Sequence, residues 1–254
     1  MQSSPFRALY RALFYRSKIP PFSLCLCYNR QKERKMLMLS NENAYYLLQE
    51  IIALYPKVET ELHHRNPFEL LIAVILSAQT TDQGVNKVTP ALFRDYPTPE
   101  ALAQAHPKDL EPYLHTIGLY KNKAKYIQQT AQQIVTRFNG KVPSNRKDLE
   151  SLSGVGRKTA SVVLSIAFDI PAFAVDTHVQ RVCKHHAIVP KDATVLQVEQ
   201  RVTSLLPPTQ WRQAHQALVR FGRYICTARQ PHCFDYPQLF TLPLKQEEDQ
   251  LPHL

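Results

Sequence analysis

The sequence predicts an all-α protein, and three observations support this prediction. Only 6 of the 254 residues are glycine, whereas 19 are proline, and this composition favours helices that are separated by prolines. Apolar residues recur at helical spacing in one segment after another. No segment alternates convincingly between apolar and polar residues, as a half-buried strand would. We therefore expect a fold that is built from helices without a sheet.

The first helices can be placed from their apolar spacing and their end signals. From Asn41 to Tyr55 the apolar residues follow the spacing of an amphipathic helix, and a proline comes next. Asn66 and Pro67 combine a capping residue with a first-turn proline. The following residues 68–79 (FELLIAVILSAQ) are apolar nearly all round, which is typical of a helix at the centre of a domain. Shorter helices are expected around 82–95, 98–105 and 107–114.

The second half of the chain shows the same helical pattern. Between Ala124 and Phe138 the apolar residues occupy one face of a longer helix, which Asn139-Gly140 ends. Turn and proline signals separate the remaining predicted helices. These are residues 146–151, 157–168, 176–187, 194–205 and 210–221.

Most of the positive charge lies at the N-terminus. The formal net charge is +10, and residues 1–35, with eight Lys or Arg and one Glu, carry +7 of it. This extension has the composition of an organellar transit peptide, but Met36 and Met38 directly precede the first patterned helix. An upstream start codon or a disordered arm is therefore the preferred interpretation. Residues 36–244 hold 22 basic and 17 acidic side chains, a weak electrostatic indication of nucleic-acid binding.

The cysteines and the apolar runs exclude two classes of protein. The five cysteines are an odd number and are widely spaced, so a disulfide scaffold is not expected. The longest apolar run, Leu70 to Leu76, is far shorter than the roughly 20 residues that cross a bilayer. No membrane partner is expected.

A glycine-rich turn in residues 149–160 (LESLSGVGRKTA) separates two short predicted helices. Gly154 and Gly156 allow positive φ and a close approach of the backbone. Backbone N–H groups at the start of the second helix suit a phosphate, and Arg157 or Lys158 adds a positive charge. This is a helix-hairpin-helix motif. Alone it indicates no more than a passive clamp on the DNA backbone, in which Lys158 is a phosphate contact.

A carboxylate follows the hairpin in residues 171–179 (PAFAVDTHV). Asp176 stands where it would cap a helix that begins near Thr177. Taken alone, this position predicts a capping residue and nothing more.

Together the two segments resemble the endonuclease III family of DNA glycosylases, which has a catalytic lysine after the hairpin and an aspartate in a VDTH run. The resemblance extends from about Asn41 to Thr241. The matching blocks are NPFELLIAVILSAQTTD at 66–82, TIGLYKNKA at 116–124, the hairpin, AVDTHVQRVC at 174–183 and FGRYICTARQPHC at 221–233.

This resemblance implies two helical domains with a DNA-binding groove between them. One is a six-helix domain at residues 60–170, which contains the hairpin, and the other combines residues 36–59 with 171–244. The extension 1–35 and the acidic tail 245–254 stand outside both domains.

The resemblance also implies an activity: removal of oxidised or ring-saturated pyrimidines and nicking of abasic sites. Lys158 would form a Schiff base with the sugar, and Asp176 would assist it. Such enzymes extrude the damaged nucleotide, and Gln79 and Leu119 would fill the gap in the base stack. In the alternative interpretation Gln79 ends a buried helix and Leu119 packs in a loop. The other residues implied to contact DNA are Leu152, Gly154, Val155, Gly156, Arg157, Thr159 and His178.

The two catalytic candidates need different explanations. A lysine amine is protonated at neutral pH, so Lys158 must lose a proton before it attacks, and partial desolvation in a groove favours this loss. A neighbouring carboxylate has the opposite effect. We therefore expect Asp176 to stabilise the positive charge that develops on the sugar and to relay the proton of the lysine.

The C-terminal loop departs from the family pattern C-x6-C-x2-C-x5-C, which holds an iron–sulfur cluster. Cys226 and Cys233 match the first two positions, but Tyr236 and Leu242 stand at the third and fourth. Four thiolates are therefore not available in this loop, and we expect no cofactor. Packing of its apolar residues would close the loop instead; these residues are Phe234, Tyr236, Leu239, Phe240 and Leu242.

No other metal site is expected from the sequence. A zinc site built from Cys226, Cys233 and His232 lacks a fourth ligand. The histidine pairs His63-His64 and His185-His186 have no matching ligand spacing and are assigned to surface or packing roles.

Two other functions stay open at this point. One is a noncatalytic helix-hairpin-helix DNA-binding protein. The other is a monofunctional mismatch glycosylase specific for adenine, a group that lacks the lysine after the hairpin and the DTH run. The expected partner is double-stranded DNA with damaged pyrimidines or abasic sites, bound by a monomer. The expected location is the cytoplasm and nucleoid of a bacterium-like cell, or an organelle if residues 1–35 are a transit peptide.

Overall fold

The computed structural model describes residues 38–57, 59–236 and 239. The chain divides into two compact units, Met1–Met38 and Leu39–Leu254. Of the first unit only Met38 is described. The predicted extension 1–35 and the acidic tail 245–254 lie outside the described residues.

The described residues form α-helices and short 3-10 turns, with no strand among them, which confirms the all-α prediction. The helices are α1 (Asn41–Ala53), α2 (Pro67–Leu76), α3 (Asp82–Asp95), α4 (Pro99–Gln104), α5 (Pro107–Leu114), α6 (Tyr120–Phe138), α7 (Arg146–Glu150), α8 (Arg157–Ala167), α9 (Thr177–His185), α10 (Val195–Leu205) and α11 (Trp211–Tyr224). The 3-10 turns are Pro208–Gln210 and Cys233–Asp235.

Side-chain caps explain where most of these helices begin. The capping oxygens accept hydrogen bonds from first-turn N–H groups that have no partner within the helix. They belong to Ser40, Asn66, Thr81, Thr98, Asn145, Asp176 and Thr194. Three of the longer helices, α6, α8 and α11, have no capping side chain. The first two of them begin at positions that were implied to contact DNA.

Two helix ends differ from the sequence prediction by three residues, more than the other ends do. Helix α2 ends at Leu76, because the chain turns through Ser77 and Ala78 to a left-handed residue, Gln79, at φ 54°. Helix α11 continues to Tyr224 instead of ending before Gly222. This glycine is required by packing, since a Cβ at Gly222 would lie 2.9 Å from the Cβ of His178 on α9.

The second unit contains two hydrophobic cores. The first is built from residues between Leu62 and Ala174. Helix α2 lies in it, with every residue from Phe68 to Leu76 buried. The second combines α1 with residues from Phe173 onward. In the part of the chain that the structure describes, no helix is long and apolar enough to cross a membrane.

Candidate active site

The hairpin is the first part of the site, and it is held firmly. Gly154 has φ +75°, and a Cβ there would lie 3.0 Å from the Cβ of Tyr126 on α6, so the turn requires glycine at this position. The hydroxyl of Thr130 donates to the carbonyl of Ser153 at 2.5 Å. The N–H of Ser153 donates to Oε1 of Gln133 at 2.8 Å. Helix α6 therefore fixes the backbone of the turn.

Gly156 has a different environment and does not adopt the positive φ that a glycine allows. It is extended, with φ −98° and ψ −179°, and a Cβ there would meet nothing within 4 Å. Gly156 is the N-cap of α8 and has no side chain with which to cap it. The first N–H groups of α8 are therefore suited to bind an anion.

Lys158 and Asp176, the two predicted catalytic residues, line the same pocket. Lys158 is the second residue of α8 and is exposed, whereas Asp176 is partly buried at the start of α9. The pocket is open to solvent. Apolar residues from both cores contribute to its wall: Leu62 and Val162 from the first and Val219 from the second.

Asp176 performs the predicted capping role. Its Oδ1 accepts hydrogen bonds from the N–H groups of His178 at 2.9 Å and Val179 at 2.8 Å. Both bonds use the same oxygen, and no described residue donates a hydrogen bond to Oδ2. The cap holds the carboxylate at a fixed position at the wall of the pocket.

His215 is a buried member of this pocket that the sequence analysis did not identify. Its Nδ1 lies 2.9 Å from the carbonyl oxygen of Ala174. A carbonyl only accepts, so Nδ1 carries the proton. Burial lowers the pKa of His215 to about 4, and the charges of Asp176, Lys158 and Arg223 contribute smaller, partly opposing effects. The imidazole is therefore neutral at physiological pH.

A second wall of the pocket carries an ion-pair network. Nη1 of Arg223 donates to Oε2 of Glu61 at 2.6 Å and to Oδ2 of Asp82 at 2.8 Å. Nη2 of Arg220 lies 3.7 Å from Oε1 of Glu61. Its Nε is buried without a hydrogen-bond partner among the described residues. Buried donors in proteins nearly always have a hydrogen-bond partner. Because Arg220 lines the pocket, a ligand bound there is one partner that its Nε can have.

Gln79 and Leu119, the residues implied to fill the base stack, share two unusual properties. Both are exposed, and both have left-handed backbone, with φ 54° and 58°. A Cβ at Gly118 would lie 3.7 Å from the carbonyl oxygen of Gln79, so the two loops are neighbours. Nζ of Lys123 donates to the hydroxyl of Thr80 at 2.6 Å and so supports the loop that carries Gln79. Burial lowers the pKa of Lys123.

Leu119 is 55% exposed, which does not match the alternative interpretation of packing within a loop. Gln79 follows helix α2 in a turn and is not its last residue. Positive φ at non-glycine residues is costly and concentrates at functional sites. Both residues therefore present exposed side chains on two neighbouring loops.

Other residues implied to contact DNA have partners inside the protein. Leu152 and Val155 are buried in the first core, so only their main-chain atoms can reach a ligand, and the N–H of Val155 already donates to the carbonyl of Leu152. The guanidinium of Arg157 forms two hydrogen bonds with Glu199, at 2.8 and 2.9 Å. Thr159 is partly buried in the first turn of α8. Arg157 would have to exchange Glu199 for a phosphate in order to bind DNA.

His178 is also engaged within the protein. Its Nδ1 lies 3.0 Å from Nη2 of Arg181, and because a guanidinium only donates, this nitrogen accepts. Burial lowers the pKa of His178, which favours the same neutral form. Any contact of His178 with DNA therefore involves a neutral ring.

Comparison with known proteins identifies the family. Residues 72–208 match the HhH-GPD superfamily of base-excision DNA repair proteins. The chain is 44% identical to endonuclease III of Bacillus subtilis over 212 residues, which are 84% of this chain and 97% of that protein. The chain belongs to the endonuclease III family. Endonuclease III of Escherichia coli is 46% identical over 178 residues, covering 70% of this chain and 84% of that protein.

Solved structures of endonuclease III share this fold. A non-covalent complex of endonuclease III with DNA matches with a TM-score of 0.78 and 46% identity, and the match covers 81% of this chain and 96% of that one. A trapped covalent intermediate of endonuclease III with DNA gives the same TM-score and identity, over 80% and 95% of the two chains.

Substitution of the two hairpin glycines by alanine should affect different properties of this endonuclease III homologue. Gly154→Ala should lower the free energy of unfolding by about 1–3 kcal/mol, because alanine is strained at φ +75° and contacts Tyr126. Gly156→Ala should change it by less than about 0.5 kcal/mol. The added methyl group should instead weaken DNA binding about tenfold, since it separates the backbone from a phosphate.

Urea denaturation and fluorescence anisotropy with a labelled duplex would measure the two quantities. Equal loss of stability in both variants would contradict the distinction. Unchanged DNA affinity in a folded Gly156→Ala variant would show that the hairpin does not approach the phosphate.

A pH dependence of stability is expected from His215. Its pKa is lowered from 6.5 to about 4, so the unfolded chain takes up a proton before the folded chain does. The stabilisation is complete above pH 6.5 and is lost as the pH falls from 6.5 to about 4, by about 3 kcal/mol in total. Burial lowers the pKa of His178 too, and this adds a loss in the same direction.

His215→Gln should reduce this dependence, because glutamine does not titrate and its amide can still donate to the carbonyl of Ala174. Urea unfolding at a series of pH values between 4 and 7 would measure the slope. An unchanged slope in this variant would show that other groups cause the acid sensitivity.

Proposed function

We propose that this protein removes oxidised pyrimidines from double-stranded DNA and cuts the strand there, with Lys158 as the nucleophile and Asp176 as its assisting carboxylate. As a member of the endonuclease III family it is a base-excision DNA glycosylase and AP lyase. The observation that carries the proposed roles is that Lys158 and Asp176 line one pocket. Capping alone would explain Asp176 in a passive hairpin clamp, and the pocket that it shares with Lys158 is what supports a catalytic role.

The bond changes follow from amine chemistry. The neutral Nζ of Lys158 attacks the anomeric carbon of the sugar, and the bond from this carbon to the base breaks, with its electron pair leaving on the base. Opening of the sugar ring then gives a protonated Schiff base. This cation acidifies the neighbouring C2′ proton, whose loss expels the 3′ phosphate by β-elimination. Water hydrolyses the remaining Schiff base and restores the lysine.

Asp176 contributes through its charge. The sugar becomes positive as the base leaves, and a carboxylate fixed at the pocket wall stabilises this charge without having to reorganise. The same carboxylate accepts or relays the proton that Lys158 must lose before attack. The N–H groups of His178 and Val179 hold Oδ1 in place, so Oδ2 is the oxygen that we assign to both tasks.

The remaining surfaces position the DNA. We infer that Gln79 and Leu119 enter the space left by the extruded nucleotide, and that the uncapped start of α8 binds a phosphate beside it through the backbone of Gly154 and Gly156. Arg220 offers its Nε to the extruded base.

We also propose that residues 60–170 and residues 36–59 with 171–244 act as two domains around the DNA groove. We propose as well that the protein acts as a monomer on the nucleoid in the cytoplasm.

We further propose that the C-terminal loop holds no [4Fe–4S] cluster. Beyond Cys183 the chain has only Cys226 and Cys233, and a cluster in this loop would need four thiolates. Tyr236 and the buried Leu239 pack against the second core, as expected for closure by packing. Leu242 lies outside the described residues, as do the side chains of Phe234 and Phe240.

The decisive experiment offers the purified protein three duplexes of one sequence. They carry a thymine glycol, an abasic site or an A·G mismatch. Gel electrophoresis follows strand cleavage without alkali, and a parallel alkali-treated sample of the mismatch duplex reveals base release that leaves no nick. Cleavage of the first two alone is the expected result. Adenine release without a nick would support the monofunctional mismatch glycosylase, and binding without cleavage would support the noncatalytic protein.

A further inference from the structure

A cluster of four potential metal ligands lies away from the catalytic pocket, in the second core. It consists of His185, His186, Cys226 and Cys233, and one ligand atom from each lies within 4.8 Å of all the others. Sγ of Cys233 is 3.5 Å from Nε2 of His186. The histidine pair and the two cysteines lie about 40 residues apart in the sequence, and the fold brings them together.

Two helix ends form this cluster. His185 is the last residue of α9, and His186 follows it as the C-cap. Helix α11 ends at Tyr224, two residues before Cys226. The C-terminal end of a helix carries partial negative charge. Two such ends near one point favour a cation there.

The loop that carries the cysteines is fixed against α9 and α11. The N–H of Cys226 donates to the carbonyl of Phe221 at 2.8 Å, and the N–H of His232 donates to the carbonyl of Ile225 at 2.8 Å. Arg181 of α9 donates from Nε to the carbonyl of Cys226 at 2.9 Å. The backbone geometry of the cluster is therefore set by contacts that do not involve the four ligand side chains.

We propose that His185, His186, Cys226 and Cys233 bind one zinc ion in a tetrahedral Cys2His2 site. Zinc prefers thiolate and imidazole ligands in this number. With the usual Zn–S and Zn–N bond lengths, tetrahedral ligand atoms lie roughly 3.3–3.8 Å apart. The observed spacing, at or below 4.8 Å, reaches this range with small side-chain movements.

The spacing also favours one ion over a cluster of irons. The ligands of a [4Fe–4S] cluster bind four different irons, and those of a [2Fe–2S] cluster bind two irons in pairs. In both cases some ligand atoms lie further apart than the ligands of a single ion, whereas all four atoms here lie within 4.8 Å of one another. Burial is consistent with a closed structural site, since His186, Cys226 and Cys233 are buried and only His185 is exposed. Such a site would join the loop after α11 to the end of α9 without the missing thiolates.

Metal analysis of the full-length, untagged chain tests this proposal. Zinc, iron and acid-labile sulfide would be measured per chain after anaerobic purification, on a Cys25→Ser/Cys27→Ser background, because those two cysteines could bind metal themselves. We expect about one zinc per chain and no labile sulfide. Replacement of zinc by Co²⁺ should give the visible absorption of a tetrahedral, thiolate-bound ion.

Matched variants assign the ligands. His185→Gln and Cys226→Ser should each reduce bound zinc from about one to below about 0.1 per chain at a chelator concentration that leaves the parent loaded. His63→Gln controls for the loss of an exposed histidine from another adjacent pair, and Cys183→Ala controls for the loss of a buried cysteine. Both controls should keep their zinc. Circular dichroism would verify that each variant is folded.

Several results would overturn the proposal. Iron with stoichiometric sulfide would establish a cluster in place of a single ion. A mass lower by two hydrogen atoms in the anaerobic protein, restored by a thiol reductant, would indicate a disulfide between Cys226 and Cys233. Failure of the folded chain to bind added Zn²⁺ or Co²⁺, or retention of zinc in His185→Gln and Cys226→Ser, would exclude this ligand set. None of these results depends on whether the proposed DNA repair activity is correct.

Discussion

Lys158→Ala is expected to abolish the covalent adduct that borohydride traps between this protein and abasic DNA. Reduction captures only a Schiff base, and the alanine variant has no amine at the wall of the pocket. Strand cleavage should fall by at least on the order of 10³-fold, since removal of a nucleophile eliminates the covalent route. Affinity for the duplex should change much less, because one exposed lysine adds only one phosphate contact. Denaturing gels after borohydride treatment, together with binding curves, would measure both.

Lys108→Ala is the matched control, because Lys108 is also an exposed lysine in the first turn of a helix, α5, and it does not line the pocket. It should trap DNA as the parent does. Full trapping by Lys158→Ala would mean that another amine is the nucleophile. Loss of binding and trapping to the same extent would instead support the passive-clamp interpretation of the hairpin.

Features that depend on neighbouring residues could be predicted from the sequence. The glycine-rich turn lies between α7 and α8 where the sequence places it, because positive φ at Gly154 is a local requirement. Asp176 caps α9 as expected, since a capping residue bonds to N–H groups only two and three positions ahead. The ends of the helices were predicted less accurately. Gly222 lies inside α11 because His178 packs against it from another helix, and no local signal reports this contact.

Features that depend on distant parts of the chain were not predicted. The ion pair between Arg157 and Glu199 joins residues from α8 and α10, and only the folded chain shows that Arg157 has a partner. His215 lies in a regular amphipathic helix and has no signal that marks it as part of a pocket. The sequence shows no ligand partner for His185 and His186 at the end of α9. The signal that could have identified them is that two adjacent histidines occur in a chain in which two cysteines of the family pattern are missing.

Asp176→Asn separates the two roles of Asp176. Asparagine caps helices as well as aspartate does, and its Oδ1 can accept the same bonds from the N–H groups of His178 and Val179. A capping role alone therefore predicts nearly unchanged stability and activity. The proposed mechanism predicts unchanged stability but a fall in kcat of about 10²–10³-fold, because the charge that stabilises the sugar cation is gone. Single-turnover cleavage of thymine glycol DNA would measure this rate.

Asp176→Ala completes the comparison. It removes the cap and the charge together, so it should lose about 1 kcal/mol of stability in addition to the activity. A normal rate for Asp176→Asn with a destabilised Asp176→Ala would reduce Asp176 to a capping residue, and Lys158 would then need another group to take its proton. Neutral His215, which lines the same pocket, would be the next group to test. Equal loss of activity in both variants, with loss of stability in only one, would establish that the carboxylate acts on the reaction through its charge.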